Sequence, residues 1–302
     1  MLLTRALPTY AARSMATVHG IAQSGFAEGT NDLYDRARPS YPASALQFIA
    51  QAVGAGPGGG SYIEPGAGTG IFSRLLLSAP SADYPAFRAR ALVGVEPSAG
   101  MRAAWERGLA RVPAADLAGV DARAVDGAFD DYSHTLLERG AADGVLIAQA
   151  WHWCQDYDRA LREAAAYLKP GAPLVLLWNL ETRDGYQGAL RDYYQPFDLG
   201  TPQYYRMRWR AMVDTPAYAE LFEPLEETKF AWSSPVTEDG VVDRVLSKSY
   251  LTEAHLNGER RVEFERRLRE IIRNGDKEWV DEENGVFQWK SDTDVVVLRK
   301  RQ

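Results

Sequence analysis

The sequence predicts an α/β protein with a mostly parallel sheet that is doubly wound, with helices on both of its faces. The 302-residue chain alternates short apolar runs of strand length with segments whose apolar residues recur at helical spacing. A glycine-rich turn also joins an early apolar run to a helix, and α/β folds form nucleotide-sized sites at such turns. Alternation of this kind is typical of strand–helix–strand units and therefore of a parallel sheet.

The alternating elements extend from residue 43 to residue 179. Helices are predicted over 43–53, 71–77, 101–109 and 157–168, and strands over a run that ends at 64 and over 91–96, 121–125, 144–150 and 173–179. The helix that ends at 168 is followed by Lys169-Pro170-Gly171, a sequence that terminates helices.

The pattern changes after residue 180. Residues 185–225 are rich in aromatic side chains and lack strand alternation, so we expect a mostly helical insertion that caps the sheet. A helical segment is expected over 237–275, and within it 258–273 is amphipathic, with Val262, Leu268, Ile271 and Ile272 directed inward. A sixth strand is predicted at 229–232, and 286–289 with 295–298 forms a broken last strand or a hairpin.

Composition limits the classes of partner. The net charge of −7 argues against a nucleic-acid partner, and no apolar run approaches the roughly 20 residues of a membrane helix. Cys154 is the only cysteine, which excludes an intrachain disulfide and cysteine-built zinc sites and favours a reducing, cytoplasmic compartment. Residues 1–29 are expected to be a flexible tail. A mitochondrial presequence is the alternative, because residues 1–27 contain Arg5 and Arg13 and no acidic residue.

The spacing of the glycine-rich turn, Glu64-Pro65-Gly66-Ala67-Gly68-Thr69-Gly70, discriminates between cofactors. A dinucleotide fingerprint requires its third glycine one residue later, where this chain has Ile71. Glu64 would repel a phosphate but can accept a hydrogen bond from an ammonium group or from ordered water. The turn therefore favours a zwitterionic amino-acid tail over a diphosphate, and a nicotinamide oxidoreductase is the disfavoured alternative.

This turn resembles the first motif, [E/D]-x-G-x-G-x-G, of the class I S-adenosylmethionine (SAM)-dependent methyltransferases. Four further segments resemble elements of the type 11 group of these enzymes: residues 34–42 (Y-x-x-x-R-P-x-Y-P), 148–153 (A-x-A-x-H-W), 168–171 (L-K-P-G) and 247–250 (S-x-S-Y). The resemblance covers residues 30 to 300. It implies a methyltransferase domain over 30–302 with a Rossmann-like sheet, an antiparallel last strand and an N-terminal cap.

The resemblance also implies SAM as methyl donor, S-adenosylhomocysteine (SAH) as product, and a set of cofactor-binding residues. The set comprises Tyr34, Arg38, Glu64, Gly66, Ala67, Gly68, Gly70, Glu96, Pro97, Met101, Gly127, Ala128, Phe129, Gln149 and Ala150. Glu96 ends the second strand, where a carboxylate accepts hydrogen bonds from ribose hydroxyls. Arg38 is expected to form an ion pair with the methionine carboxylate or with a substrate carboxylate. The alternative is that it donates hydrogen bonds to loop carbonyls.

One position departs from the family pattern. Many members carry an acidic residue where this chain has Phe129, and that residue accepts a hydrogen bond from the adenine amine. Asp126 or Asp130 substitutes for it, or Phe129 packs on the adenine ring.

Methyl transfer is an in-line displacement that depends on close approach and on exclusion of water. His152 is the candidate base and Trp151 a candidate positioning residue, and a histidine that only satisfies hydrogen bonds beside the site is the alternative. A carboxylate nucleophile would need no base. We expect O- or N-methylation of a small molecule, a carboxylate or a natural product, by a monomer or homodimer without a metal, a nucleic acid or a membrane. The alternative is a SAM-binding protein that does not methylate.

Overall fold

A computed structural model describes residue 35 and residues 37–302 of the chain. The tail or presequence expected over 1–29 and the candidate site residue Tyr34 lie outside these described residues.

The centre of the fold is an eight-stranded sheet. Its strands are β1 (Gly60–Pro65), β2 (Ala89–Val95), β3 (Asp121–Val125), β4 (Gly144–Ala148), β5 (Pro173–Glu181), β6 (Glu226–Val236), β7 (Trp279–Asp281) and β8 (Val286–Arg299). The order is β3-β2-β1-β4-β5-β8-β6, with β7 paired to β8. The pairs from β3 through β5 are parallel, and β8 runs antiparallel to both β5 and β6. The predicted fold class, with its antiparallel last strand, is confirmed.

Helices cover both faces of this sheet. They are α1 (Ala43–Ala52), α2 (Ile71–Leu77), α3 (Ala99–Leu109), α4 (Ala114–Leu117), α5 (Tyr157–Tyr167), α6 (Gly185–Tyr194), α7 (Pro216–Leu221), α8 (Glu238–Leu246) and α9 (Gly258–Asn274). One apolar core joins α1 and α2 to the sheet, and a second core joins α5 and α7 to the opposite face. Apolar burial on both faces explains why β4 is an unbroken apolar run rather than an alternating one.

The antiparallel strands are longer than predicted. The sixth strand covers eleven residues where four were expected. Every second residue of β6 is exposed at the sheet edge, and for that reason an apolar run marks only part of the strand in the sequence. The last strand is one continuous strand, neither broken nor a hairpin. At its polar centre Ser291 and Thr293 are buried, and the Thr293 hydroxyl donates to Oδ1 of Asn179 at 2.6 Å.

The insertion between β5 and β6 is helical, made of α6, three short 3₁₀ helices and α7. A third apolar core joins α6 to α8, α9 and the start of β8. The face of α9 differs in part from the prediction: Val262 is 70% exposed, while Phe264, Leu268 and Ile272 are buried. Those three residues are four positions apart, so they lie on one face of the helix, and Val262 lies on another.

No helix in the part of the chain that the structure describes is long and apolar enough to cross a membrane. Those residues also contain no cluster of three or more His, Cys, Asp and Glu side chains that could hold a metal ion.

Candidate functional site

Two adjoining cavities open at the carboxyl edge of the parallel strands. The larger has a volume of about 370 Å³, and the smaller, of about 50 Å³, shares Arg38, Gly66, Gly68 and Gln149 with it. Strand order reverses between β1 and β4, and α/β folds bind ligands in the crevice at that point.

The glycine-rich turn between β1 and α2 forms one wall. Gly66 and Gly68 both have positive φ, at 71° and 55°. A Cβ on Gly66 would lie 2.5 Å from the Cβ of Ala150, so glycine is required there for packing. A Cβ on Gly68 would meet nothing within 4 Å and would occupy the space of the cavities. The turn therefore leaves room for a ligand against the backbone of Gly68.

Glu96 follows β2 and faces the larger cavity. Its Oε2 accepts a hydrogen bond from the Gly68 N–H at 3.1 Å, and its Oε1 accepts one from the Ser98 N–H at 2.9 Å. Burial raises the pKa of Glu96, and the two backbone donors oppose that rise. Each carboxylate oxygen retains a second lone pair, so the group can still accept hydrogen bonds from a diol.

Glu64 lies beneath the turn and contributes to the smaller cavity. The Ser73 hydroxyl donates to its carboxyl group, and Trp105 Nε1–H donates to Ser73 Oγ at 2.6 Å. Burial raises the pKa of Glu64 to about 8, although Ser73 and Arg74 partly offset the effect. A neutral carboxyl group at this position would ionise when a cation enters the smaller cavity.

The loop after β3 contributes Ala128 and Phe129 to the larger cavity. Asp126 forms an ion pair with Arg102 at 3.1 Å, and neither it nor Asp130 belongs to the cavity wall. The Phe129 ring instead forms this part of the wall and packs edge-on against Trp151, with centroids 5.7 Å apart. Of the alternatives open at this loop, the geometry favours the one in which Phe129 packs on a ligand ring.

His152 lies in a 3₁₀ turn, Trp151–Trp153, after β4, and it faces the larger cavity. Trp178 Nε1–H donates to His152 Nδ1 at 3.2 Å. Because an indole N–H only donates, the proton of the neutral imidazole lies on Nε2. Burial, together with the charge of Arg38, lowers the pKa of His152 to about 3. This arrangement makes His152 a hydrogen-bond donor and argues against the expected role as a base.

Trp151 does not reach either cavity. It is fully buried, and its Nε1–H donates to the sulfur of Met212 at 3.2 Å, which turns the ring toward the core. Trp153, two residues later, lies in the cavity wall instead.

The other sequence-predicted site residues divide into three sets. The wall of the larger cavity includes Arg38, Gly66, Gly68, Glu96, Pro97, Met101, Ala128, Phe129, Gln149 and Ala150, and the smaller cavity adds Glu64 and Ala67. Gly70 and Gly127 contribute to neither cavity: a Cβ on Gly70 would lie 2.6 Å from Cδ1 of Trp105, and one on Gly127 would lie 2.5 Å from the carbonyl oxygen of Asp131. These two glycines are needed for close packing behind the site.

A charged cluster at the end of β5 was missed by sequence reasoning. Lys248 Nζ lies 3.1 Å and Arg244 Nε 3.9 Å from Oε1 of Glu181. Burial alone would raise the pKa of Glu181, but Lys248 and Arg244 lower it overall. Burial lowers the pKa of Lys248 to about 8, against the attraction of Glu181. The sequence feature that could have indicated this cluster is the S-x-S-Y-like segment at 247–250. It contains Lys248 but was interpreted only as an element of the methyltransferase group.

The chain resembles known methyltransferases in sequence and in fold. A family model described as a methyltransferase domain matches residues 63–176. An uncharacterized methyltransferase of Mycobacterium tuberculosis (strain H37Rv) is 30% identical over 222 residues, which are 72% of this chain and 74% of that protein. One from Mycobacterium bovis matches to the same extent.

Two solved structures share the fold. The YcgJ protein of Bacillus subtilis superposes with a TM-score of 0.50 at 13% identity, over 86% of this chain and 99% of that one. A candidate type II methyltransferase from Anaeromyxobacter dehalogenans gives 0.52 at 17% identity, over 88% and 97% of the two chains.

Proposed function

The chain belongs to the type 11 group of class I methyltransferases, and from that premise we propose that it transfers a methyl group from SAM to a small-molecule acceptor, by O- or N-methylation. The observation that carries the proposal is the hydrogen bond from the Gly68 N–H to Glu96, beside the open space in front of Gly68. It holds a diol-binding carboxylate beside a turn whose backbone a ligand can approach.

The residues around the two cavities suit the parts of SAM. Glu96 would accept the ribose hydroxyls, and Phe129 would pack on the adenine. Glu64 and Arg38, both at the smaller cavity, would bind the ammonium and carboxylate groups of the methionine tail. The bound donor supplies an electrophilic methyl group on a sulfonium.

A small acceptor fits the enclosure of the larger cavity. The cavity has a volume of about 370 Å³ and would also hold the donor at its Glu96 end, so the space that remains suits only a small molecule. The insertion contributes Tyr194, Tyr204 and Tyr205 to the wall, so the acceptor would bind against aromatic side chains with water excluded.

Isothermal titration with SAM, SAH and NADH tests the donor site. We expect SAM and SAH to bind and NADH not to bind. Gly68→Val should abolish SAH binding, because its side chain would fill the open space at Gly68. Absence of SAH binding by the wild-type protein would contradict the proposal.

One observation favours a second candidate, a SAM-binding protein without transferase activity: Phe129 replaces the acidic residue that many members use for adenine. Labelled SAM incubated with fractionated small-molecule extracts separates the two candidates. Formation of a labelled product supports transfer, and SAH binding with no labelled product in any fraction supports the second candidate.

A further inference from the structure

The larger cavity has a carboxylate near each of its two ends. Glu96 follows β2 and Glu181 ends β5, and these strands are separated by β1 and β4 in the sheet. Neighbouring strands of a sheet lie about 4.8 Å apart, so the three steps from β2 to β5 place the two strand ends roughly 14 Å apart. Because Glu96 is the proposed ribose ligand, the Glu181 end is the part of the cavity available to the acceptor.

Positive charge exceeds negative charge at the Glu181 end. Lys248 and Arg191 both contribute to the cavity wall, and Arg244 lies directly behind it. Glu181 is the only carboxylate in the wall at this end within the described residues, so three cations face one anion. Asp198, beyond Tyr205, forms an ion pair with Arg206 at 2.5 Å and does not change this balance.

These charges are largely withdrawn from water. The side chains of Lys248, Glu181 and Arg244 are 13%, 12% and 8% exposed. The guanidinium of Arg191 packs over the ring of Tyr205 at 5.2 Å and donates to the carbonyl oxygen of Glu181 at 3.4 Å. Net buried charge is unfavourable unless an opposite charge approaches, so this end of the cavity favours an anionic ligand.

Apart from Lys248 and the proposed ribose ligand Glu96, the described side chains of the cavity wall offer no effective base to a neutral nucleophile. His152 presents an N–H, because Trp178 donates to its other nitrogen. Burial raises the pKa of the Tyr194 and Tyr205 phenols, and the two neighbouring cations hold Glu181 ionised and weakly basic. An anion bound beside Lys248 favours its protonated form, so an anionic acceptor must arrive with its nucleophilic lone pair already available, as a carboxylate does at neutral pH.

We propose that the acceptor is a carboxylic acid, bound as its anion at Lys248 and Arg191 and converted to a methyl ester. The inference rests on the proposed function and names its substrate class. A carboxylate oxygen forms the bond to the methyl carbon, the carbon–sulfur bond breaks with its electron pair left on sulfur, and no proton is released. The ester lacks the negative charge of the carboxylate, so the excess of cations binds the product less tightly than the substrate.

The first experiment uses the chemistry of the product. A small-molecule extract is divided on an anion-exchange resin into retained and unretained fractions, and each is incubated with the protein and SAM labelled on its methyl group. We expect product from the retained fraction, with label that mild alkali releases as volatile methanol. A product that forms from the unretained fraction, or whose label resists alkali, would overturn the proposal.

The second experiment tests Lys248. At a limiting concentration of the acceptor, Lys248→Met should lower turnover at least tenfold. It should leave the dissociation constant for SAH within about twofold of the wild-type value. Lys248→Arg keeps the charge but cannot act as a base, and it should retain most of the activity. The control is Lys290→Met, since Lys290 is 54% exposed and pairs only with the exposed Glu278.

These outcomes separate the substrate class from the transfer itself. If Lys248→Arg is impaired as severely as Lys248→Met, the positive charge is not what matters and the carboxylate proposal is wrong. Arg191→Met provides a second test should a Lys248 variant unfold, and it should also raise KM for the acceptor without weakening SAH binding. Failure of the wild-type protein to bind SAH would instead contradict the proposed function.

Discussion

The indole N–H of Trp178 donates to Nδ1 of His152 across 3.2 Å, and this single bond determines what the histidine can do. With Nδ1 occupied, the imidazole presents Nε2–H to the cavity. Burial lowers its pKa to about 3, so the ring stays neutral across the physiological range. We therefore expect His152 to donate a hydrogen bond to an acceptor and to take no proton from it.

The pH dependence of kcat/KM should therefore show no histidine inflection between pH 5.5 and 7.5. Trp178→Phe removes the donor that fixes the tautomer but leaves the burial of the ring and the charge of Arg38 in place, so it should lower kcat/KM without introducing an inflection in that range. The matched control is Trp209→Phe, because the Trp209 ring packs against Trp178 with centroids 4.9 Å apart and its buried Nε1 has no hydrogen-bond partner among the described residues. A wild-type inflection near pH 6.5 that disappears in His152→Asn would show that His152 is a base after all.

Glu64 should make the folded protein less stable as pH rises. Burial raises its pKa to about 8, so between pH 4.5 and 8 the folded state binds a proton that the unfolded state has released. The free energy of unfolding then falls with increasing pH in this window, by at most about 2 kcal/mol between pH 6 and 8. Urea unfolding at the two pH values should show that fall in wild type and a smaller one in Glu64→Gln.

The exposed Glu226→Gln is the control for that comparison, and it should behave like wild type. An equal fall with pH in wild type and in Glu64→Gln would mean that Glu64 is already ionised at pH 6. A second readout comes from binding: the ammonium group of SAH should ionise Glu64, so titration at pH 7 in buffers of different ionisation enthalpy should detect proton release. Glu64→Gln should remove that release.

The sequence predicted the sheet, and most of the residues that it assigned to the cofactor lie at the two cavities, for identifiable reasons. The apolar runs of β1, β2 and β4 and the glycine spacing at Gly66 and Gly68 are local patterns, and each reports on its own segment. Val262 was misassigned because a highly charged helix leaves few apolar residues to define its buried face.

The Glu181 end of the larger cavity, where we propose that the acceptor binds, could not be predicted in the same way. Glu181 and Arg191 lie ten residues apart, but Lys248 comes 67 residues after Glu181, and only the folded chain brings all three to one cavity. The tautomer of His152 could not be predicted either, because the donor that fixes it, Trp178, lies 26 residues away on the neighbouring strand. Ion pairs and hydrogen bonds between different strands produce no sequence pattern with a fixed spacing.

Gly68→Ala should weaken SAH binding at least tenfold with only a modest loss of stability. The new Cβ meets no protein atom within 4 Å, but it projects into the space that a ligand would occupy. Gly119→Ala is a closely matched control: Gly119 has φ of 77°, its Cβ would also meet nothing within 4 Å, and it lies outside both cavities. Both variants should lose about 1 kcal/mol for a left-handed residue other than glycine.

Thermal unfolding checks the equal loss of stability, and isothermal titration with SAH checks the unequal loss of affinity. Equal SAH affinity in Gly68→Ala and Gly119→Ala would show that no ligand group approaches Gly68.

Asp35 ties the segment ahead of α1 to the glycine-rich turn. Its Oδ1 accepts hydrogen bonds from the Thr69 hydroxyl at 3.0 Å and from Arg74 Nη2 at 2.6 Å, and Arg111 pairs with its Oδ2. Burial raises the pKa of Asp35, but the hydrogen bonds from Arg74 and Arg111 outweigh it and hold the pKa below the usual value. Arg38, three residues later, contributes to the walls of both cavities.

Asp35→Asn should weaken SAH binding about tenfold, because an amide cannot accept three hydrogen bonds and carries no charge to pair with the arginines. Arg74→Met should weaken binding more than Arg111→Met, since the Arg74 side chain is 17% exposed and that of Arg111 is 63% exposed and screened by water. Asp116→Asn, which removes an exposed carboxylate bonded only to the Ser78 hydroxyl, is the control. Isothermal titration gives the affinities, and an equal effect of the two arginine substitutions would contradict the ranking by burial.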